Sequence, residues 1–403
     1  PATELDLSPS QRRAVETALR EKVMVLTGGP GTGKTTVTRV ILRHFEKAGL
    51  RVALCSPTGR AAKRLAEATG REAKTIHRLL EFMPAEGRFR RGRNDPVEAD
   101  AVIVDETSMI DVPLMHALLR ALSPQVRLLL VGDADQLPSV GPGNVMGDII
   151  SSRRVPVALL TEIHRQERRS RIVVNAHRIN AGDWPELSNS RDGDFFFLEE
   201  EDPPEAAALI SDLVGRRLPA HGGYDPVGDI QVLSPMYRGE TGAINLNRLL
   251  QQRLNPGGKV CRKGERELRV GDKVMQVRNN YERAVFNGDL GRILAFDAEE
   301  GSIRVRFDSG VSGDYGANSL DEIVPAYAIS VHRAQGSEFP VVVLPLTTQH
   351  YPMLQRNLLY TAITRARSLL VVVGGRRALG RAVSNDEVAR RYTALGERLR
   401  DSD

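Results

Sequence analysis

The chain has 403 residues, 41% of them hydrophobic and 27% charged, an ordinary balance for a soluble globular protein with room for two or three domains. No apolar run approaches the roughly 20 residues needed to cross a bilayer, which argues against membrane insertion. Fifty-six Lys and Arg against 51 Asp and Glu leave a net charge of +5, a mild basic excess that permits a nucleic-acid partner without requiring one.

Two cysteines, Cys55 and Cys261, stand far apart with no CxxC pair. That spacing excludes a disulfide framework and structural zinc and points to a reducing, cytoplasmic compartment. The sequence begins at Pro1 rather than Met, so the reading expects a trimmed piece of a longer protein whose missing start has room for a partner-docking surface.

In chain order, residues 10–20 predict a helix, 23-VMVLTG-28 a strand and residues 34–48 a second helix. Strands follow at 101-AVIVD-105 and 126-VRLLLVGD-133, with a helix over residues 113–122 between them. Unbroken apolar runs alternating with helices predict an α/β fold with parallel strands, whose ligands sit beyond the carboxyl ends of the strands. The same texture returns at 229-DIQVLS-234, 340-PVVVLPL-346 and 369-LLVVVGG-375, after a long interruption. Within it, residues 270–280, 289–301 and 302–310 read as short antiparallel strands of an inserted β module.

Residues 28–35, GGPGTGKT, fit G-x-x-x-x-G-K-[ST] between a predicted strand and a predicted helix. Gly29, Gly31, Thr32 and Gly33 would turn backbone N–H groups around phosphate oxygens, with Pro30 in the same loop and Thr36 in the first helical turn. Lys34 would reach the β and γ phosphates and the Thr35 hydroxyl would bind Mg²⁺. Asp105 and Glu106 end a strand that should lie nearby: Asp105 to hold the metal, Glu106 to orient and deprotonate the attacking water. Alone, such a pair more often caps the next helix; beside a phosphate loop, the catalytic reading prevails.

The order of 7-LSPSQ-11, GGPGTGKT, 105-DETS-108, 132-GDADQLPSV-140, 162-EIHRQ-166, 331-VHRAQGSE-338 and 358-LLYTAITRAR-367 resembles superfamily 1 DNA helicases, and within them the RecD-like group, over nearly the whole chain. The resemblance implies two RecA-like parallel-sheet P-loop NTPase domains. The first would span residues 1–150 with a small basic hairpin at about 83–97; the second, residues 151–262 and 326–403, would be interrupted by an SH3-like β insertion at 263–325.

By the same resemblance Gln11 hydrogen-bonds adenine, making ATP the substrate. His164 stands where relatives carry a stacking tyrosine, with less ring area for the task. Arg165 and Arg365 meet the γ-phosphate, so that ATP lies between two domains and its site is complete on closure. Gly336 and Glu338 line the nucleotide near the ribose, or form a glycine turn with a solvated glutamate.

Nucleic acid should then run past the other strand ends. Ser56, Pro57, Thr58 and Arg60 suit phosphate oxygens. Thr75, His77 and Arg78, with Ser330, His332 and Arg333 from the second domain, stand where relatives grip the strand. Aromatic residues are only 5% of the chain, so backbone contacts should dominate, with strong salt dependence. Phe89 within 88-RFRRGR-93 reads either as a wedge against the incoming duplex or as part of a basic loop. Gln136 follows a strand end beside DETS and could sense the γ-phosphate, since its amide both donates and accepts.

The implied activity is an ATP-dependent helicase, acting as a monomer and moving 5′ to 3′ on single-stranded DNA, with duplexes bearing a 5′ tail as substrates. The alternative is a DNA-stimulated translocase or remodelling subunit that does not unwind by itself. A P-loop switch would lack Arg165 and Arg365, and a relic ATP site would not keep Lys34, Thr35, Asp105 and Glu106 together.

Overall fold

Within each apolar run of the first sheet, successive side chains enter different cores. Met24 and Leu26 belong to one apolar cluster with Ile103, Leu129 and Val131, while Val25 joins Val102, Val104, Leu128 and Leu130 in another. A strand covered on both faces needs apolar residues at every position, which is why these strands show no polar alternation. The structure, a computed structural model, describes residues 7–163, 169–263, 266–280, 282–316, 318–387, 391 and 393–401.

Backbone contacts divide the chain into two units, Pro1–Arg169 with Val388–Asp403, and Ser170–Glu387. The first contains strands β1 (Val23–Gly28), β2 (Val52–Ser56), β3 (Ala73–Thr75), β4 (Phe82–Met83), β5 (Arg88–Phe89), β6 (Ala101–Val104), β7 (Arg127–Gly132) and β8 (Val157–Leu160). Its helices include α1 (Pro9–Arg20), α2 (Lys34–Lys47) and α3 (Gly59–Thr69). The main sheet has the order β3-β2-β6-β7-β1-β8, and every pairing is parallel. β4 and β5 form a separate antiparallel hairpin.

The expected boundary at residue 150 differs from this division. β8 pairs with β1 in register Val25 with Val157, which places residues 157–160 in the first sheet. The helix Leu395–Asp401 packs on the helix Val145–Ser152, and Arg391 donates to the carbonyls of Gly141 and Ser139. These contacts place the final segment with the first unit, where the sequence reading had put it in the second. The reason is that both short pieces find their partners far away in sequence.

The second unit contains β9 (Phe195–Glu199), β10 (Ile230–Ser234), β11 (Val260–Lys263), β12 (Arg266–Arg269), β13 (Lys273–Gln276), β14 (Leu290–Asp297), β15 (Ser302–Phe307), β16 (Ser312–Tyr315), β17 (Ile323–Pro325), β18 (Ala328–Ser330), β19 (Phe339–Leu346) and β20 (Ala366–Gly374). Its main sheet, β18-β10-β19-β20-β9, is again all parallel. Between β10 and β18 the chain builds the antiparallel sheet β16-β15-β14-β13-β17 and the pair β11-β12. The fold is therefore α/β with two parallel sheets and an inserted β module. Among the described residues no helix is long and apolar enough to cross a membrane.

One buried carboxylate ties the inserted module to its host. Asp272 is fully buried and accepts hydrogen bonds from Gln251 Nε2 at 2.6 Å, Asn255 Nδ2 at 2.7 Å, the Arg269 backbone N–H at 2.7 Å and the Tyr327 hydroxyl at 3.0 Å. Gln251 lies on the helix Ala243–Leu254, which packs in the core of the second unit. Removing the carboxylate strands several buried donors at once, each worth roughly 1 kcal/mol or more. Asp272→Ala is expected to lower folding stability by about 3 kcal/mol, read as a fall in the urea midpoint; an unchanged midpoint would show that the network carries no net stability.

Candidate phosphate site and nucleic-acid edge

The phosphate loop starts where β1 ends, and its shape follows from glycine. Gly31 has φ 70° and Gly33 φ 84°, left-handed values that glycine adopts without strain. A Cβ on Gly28 would lie 2.6 Å from the Leu160 carbonyl oxygen and 2.8 Å from Thr32 Oγ1, so only glycine lets β8 and the loop approach this closely. The Thr32 hydroxyl closes the turn by donating to the Gly29 carbonyl at 2.8 Å. Gly33 is the N-cap of α2, which has no side-chain cap. A fourteen-residue helix thus begins with its N–H groups and positive dipole end beside the loop.

Lys34 donates to the Gly28 and Gly29 carbonyls at 2.5 and 3.0 Å, which holds its ammonium over the loop. Thr35 is exposed, Thr36 half-buried, and Thr32 buried. Gln11 is buried, not at the surface: its Nε2 donates to the Thr32 carbonyl at 3.0 Å, while its Oε1 accepts from the Ser8 N–H at 3.0 Å. Gln11 therefore joins the start of α1 to the loop.

Parallel pairing sets the rest of this edge. In the sheet, β7 lies beside β1 and β6 beside β7, so Gln136 and the pair Asp105–Glu106 follow the ends of the strands that neighbour the one leading into the phosphate loop. Neighbouring strands are about 4.8 Å apart, which keeps these groups within one small region. Asp105 is half-buried; partial loss of solvent first, and then its Glu106 neighbour, raises its carboxyl above the usual range, with Lys34 and Arg64 opposing. A divalent cation held by Asp105 and the Thr35 hydroxyl would offset that cost, so the donor set suits Mg²⁺. Glu106 has φ 53° and ψ 41°, left-handed for a non-glycine residue, and its carboxylate lies 3.6 Å from Arg64 Nη2. Gln136 Nε2 donates to Asp133 Oδ2 at 3.1 Å, and Asp133 is buried.

On the far side of β6 come β2 and β3, and the predicted nucleic-acid residues follow their ends. Several have local work. The Thr58 hydroxyl caps α3 by accepting from the Ala61 N–H, and Thr75 caps the short helix Ile76–Leu79 by accepting from the Arg78 N–H. Ser56 is fully buried, which removes its hydroxyl from the surface expected for it, because it closes a strand that is covered at that end. Pro57 and Arg60 are half-buried and Arg78 is exposed.

The hairpin takes Phe89, read either as a wedge or as part of a basic loop, into its own packing. Phe89 lies opposite Phe82, and both rings pack on His77, with centroids 5.1 to 5.5 Å apart. Burial lowers the basicity of His77. The exposed tip is residues 84–87, with Gly87 at φ 62°. The basic cluster is also paired: Arg88 with Glu86, Arg90 with Glu81, and Arg91 with Glu81 and Asp95. Sequence reading counted the arginines and not the acids that folding brings beside them.

In the second unit Ser330, at the end of β18, donates to the Tyr237 hydroxyl at 3.1 Å, and the Arg333 guanidinium lies 5.4 Å from the Tyr237 ring centroid. His332 is half-buried next to them. The tyrosine, about half exposed, was not singled out in the sequence; its place after strand β10 was the available signal. Arg365 is buried, donating from Nε to Thr361 O, from Nη1 to Ser337 O and from Nη2 to Thr364 Oγ1. Gly336 takes φ 68° and Glu338 is exposed. His164 and Arg165 lie outside the described residues.

Comparison with known proteins follows the same architecture. A family described as an AAA domain matches residues 11–142, a UvrD-like helicase C-terminal domain matches 325–373, and the ATP-dependent RecD-like DNA helicase SH3 domain matches 246–307. The chain is 42% identical over 394 residues to the ATP-dependent RecD2 DNA helicase of Deinococcus radiodurans, covering 98% of this chain and 52% of that protein. It is 35% identical over 428 residues to the RecBCD enzyme subunit RecD of Mycobacterium tuberculosis, covering 97% of this chain and 72% of that subunit. The chain thus spans about half the length of the first of these relatives. Among solved structures, Pif1 helicase from Candida albicans aligns with a TM-score of 0.56 at 19% identity over 97% of this chain and 98% of that one. Pif1 helicase from Bacteroides, solved with ADP-AlF3 and single-stranded DNA, gives 0.55 at 20% identity over 91% and 92%; at such identities the likeness concerns the fold. A RecD relative aligned along 72% of its length, together with the matching helicase and SH3 domains, shows that the chain belongs to the RecD-like family of superfamily 1 DNA helicases.

Proposed function

We propose that this chain is the motor of an ATP-dependent DNA helicase that moves 5′ to 3′ along single-stranded DNA and opens duplexes carrying a 5′ tail. The observation that carries the reading is the order of strand ends in one sheet. The phosphate loop, Gln136, Asp105–Glu106, the 56–60 loop and the 75–78 segment follow β1, β7, β6, β2 and β3, which are consecutive neighbours. A nucleotide at one end of that edge and a nucleic-acid backbone at the other share the strands between them. The direction of movement rests on membership of the RecD-like family.

In this reading Lys34 moves from the loop carbonyls onto the β and γ phosphate oxygens, and Gln11 steadies the loop while its amide faces the adenine side. Thr35 and Asp105 would hold Mg²⁺, which when bound would supply positive charge to the phosphate oxygens. Glu106 accepts the proton of the water whose oxygen bonds the γ phosphorus, as the bond to the β,γ-bridging oxygen breaks. Family resemblance alone assigns Arg365 and Arg165 to the transferred phosphoryl group, and Gly336, Glu338 and His164 to the nucleoside. Gln136, tethered to Asp133, reports whether the γ-phosphate is present.

A second reading, a DNA-stimulated translocase that does not unwind by itself, is favoured by one observation. Phe89, the hairpin residue that could press on a base pair, packs on Phe82 and His77 and not at the exposed tip, which weakens the hairpin's claim to split a fork.

Lys34→Ala is expected to cut ATP turnover by at least about a thousandfold, in line with loss of a phosphate-clamping cation, and to leave oligonucleotide binding intact. Wild-type ATP turnover that single-stranded DNA does not stimulate would defeat the motor reading. Deleting residues 86–94 separates the two readings: lost unwinding with intact DNA-stimulated turnover supports a hairpin that splits duplexes, and unchanged unwinding removes it from the mechanism. Gln136→Ala should retain DNA binding while unwinding falls relative to ATP consumed; wild-type values for both rates would reduce Gln136 to a strand-end residue.

A further inference from the structure

Helix α3 begins in the proposed nucleic-acid loop and ends its first turns beside the hydrolysis residues. Thr58 caps it, Arg60 lies in its first turn, and Arg64 follows four residues later on the same face. β2, which leads into this helix, is hydrogen-bonded in parallel to β6, with Cys55 opposite Val104 and the Asp105 N–H donating to the Cys55 carbonyl at 2.9 Å. The loop that should meet a DNA backbone and the carboxylate that should activate water therefore leave adjacent strands.

Arg64 joins the two. Its Nη2 lies 3.6 Å from Glu106 Oε1, with side-chain exposures of 33% and 17%. The guanidinium also acts electrostatically on Asp105. Glu106 has a left-handed backbone, φ 53° and ψ 41°, a conformation that costs energy in a residue other than glycine. At 3.6 Å the pair is longer than a hydrogen bond and correspondingly weak, whereas a guanidinium meets a phosphate in strong, charge-assisted geometry. A backbone phosphate at the first turn of α3 would compete with Glu106 for the same cation.

We propose that Arg64 is shared between Glu106 and the DNA backbone: without DNA it holds Glu106 away from water, and a bound phosphate draws it off and releases the carboxylate. Arg64 is then a positioning residue that makes ATP hydrolysis depend on DNA, which rests on the helicase reading above. The competition is reciprocal: a phosphate that draws off Arg64 weakens its pair with Glu106, and removing the Glu106 charge strengthens the hold of Arg64 on phosphate.

The test uses a fluorescein-labelled oligo-dT strand and ATP turnover measured with and without it. Arg64→Gln should raise DNA-free turnover about two- to fivefold, the range for a weak ion pair, and lower the DNA stimulation ratio accordingly. Arg64→Lys should keep a ratio nearer the wild type. Binding supplies a readout independent of hydrolysis. Glu106→Gln should tighten oligo-dT binding by a similar factor, and the gain should vanish when Arg64→Gln is added. DNA-free turnover that is unchanged or lower in Arg64→Gln, or a Glu106→Gln variant that binds no tighter, overturns the proposal even if the wild type is DNA-stimulated. A wild-type chain that neither binds the oligonucleotide nor responds to it removes the helicase reading, and this proposal with it.

Discussion

The parallel hydrogen bonding of β1, β7, β6, β2 and β3 is the constraint on which the first unit depends. Parallel strands all present their carboxyl ends at one edge, and each pairing fixes the neighbour's height to within a residue. Thr27 stands opposite Gly132, Leu130 opposite Val104, Val104 opposite Cys55, and Ser56 opposite Thr75. Loops that are far apart in sequence are thereby aligned in a row. Sliding any pairing by one residue would exchange the two apolar clusters that cover the faces, so the cores protect the alignment of the site.

At this edge the same atoms serve fold and chemistry. Gln11 completes the capping box of α1 and also bonds the phosphate loop. Thr58 and Thr75 use their hydroxyls to start helices, so a strand passing there would meet the helices' first N–H groups with these side chains already committed. Cys55, beside Asp105, is buried and its thiol is pushed up to about 12, by burial and then by that carboxylate, which leaves it as packing. The second unit repeats the device with a loop after β10, where Ser330 and Arg333 hold Tyr237.

Much of this was legible from residue order. Unbroken apolar runs announced β1, β6 and β7 within a residue or two, because burial on both faces leaves no room for polar side chains. GGPGTGKT and the DE pair announced the phosphate site because backbone turning, dipole and metal binding each demand a particular residue type at a fixed spacing. β8 was not assigned, since an edge strand with Val157 and Leu159 exposed carries a mixed signal. The charge of 88-RFRRGR-93 left two readings open, and the pairing of its arginines with Glu81, Glu86 and Asp95 is seen only once the hairpin closes.

By itself, the sequence determined the α/β class, the phosphate loop, its acidic partners and the kinship with RecD-like helicases, because these depend on local residue types and their order. Tertiary structure alone decided that Arg64 meets Glu106, that Phe89 packs on His77 and Phe82, and that Asp272 gathers four donors into one buried network. Such contacts join side chains from different elements, and their distances are set by strand register and helix packing that no single stretch of sequence contains.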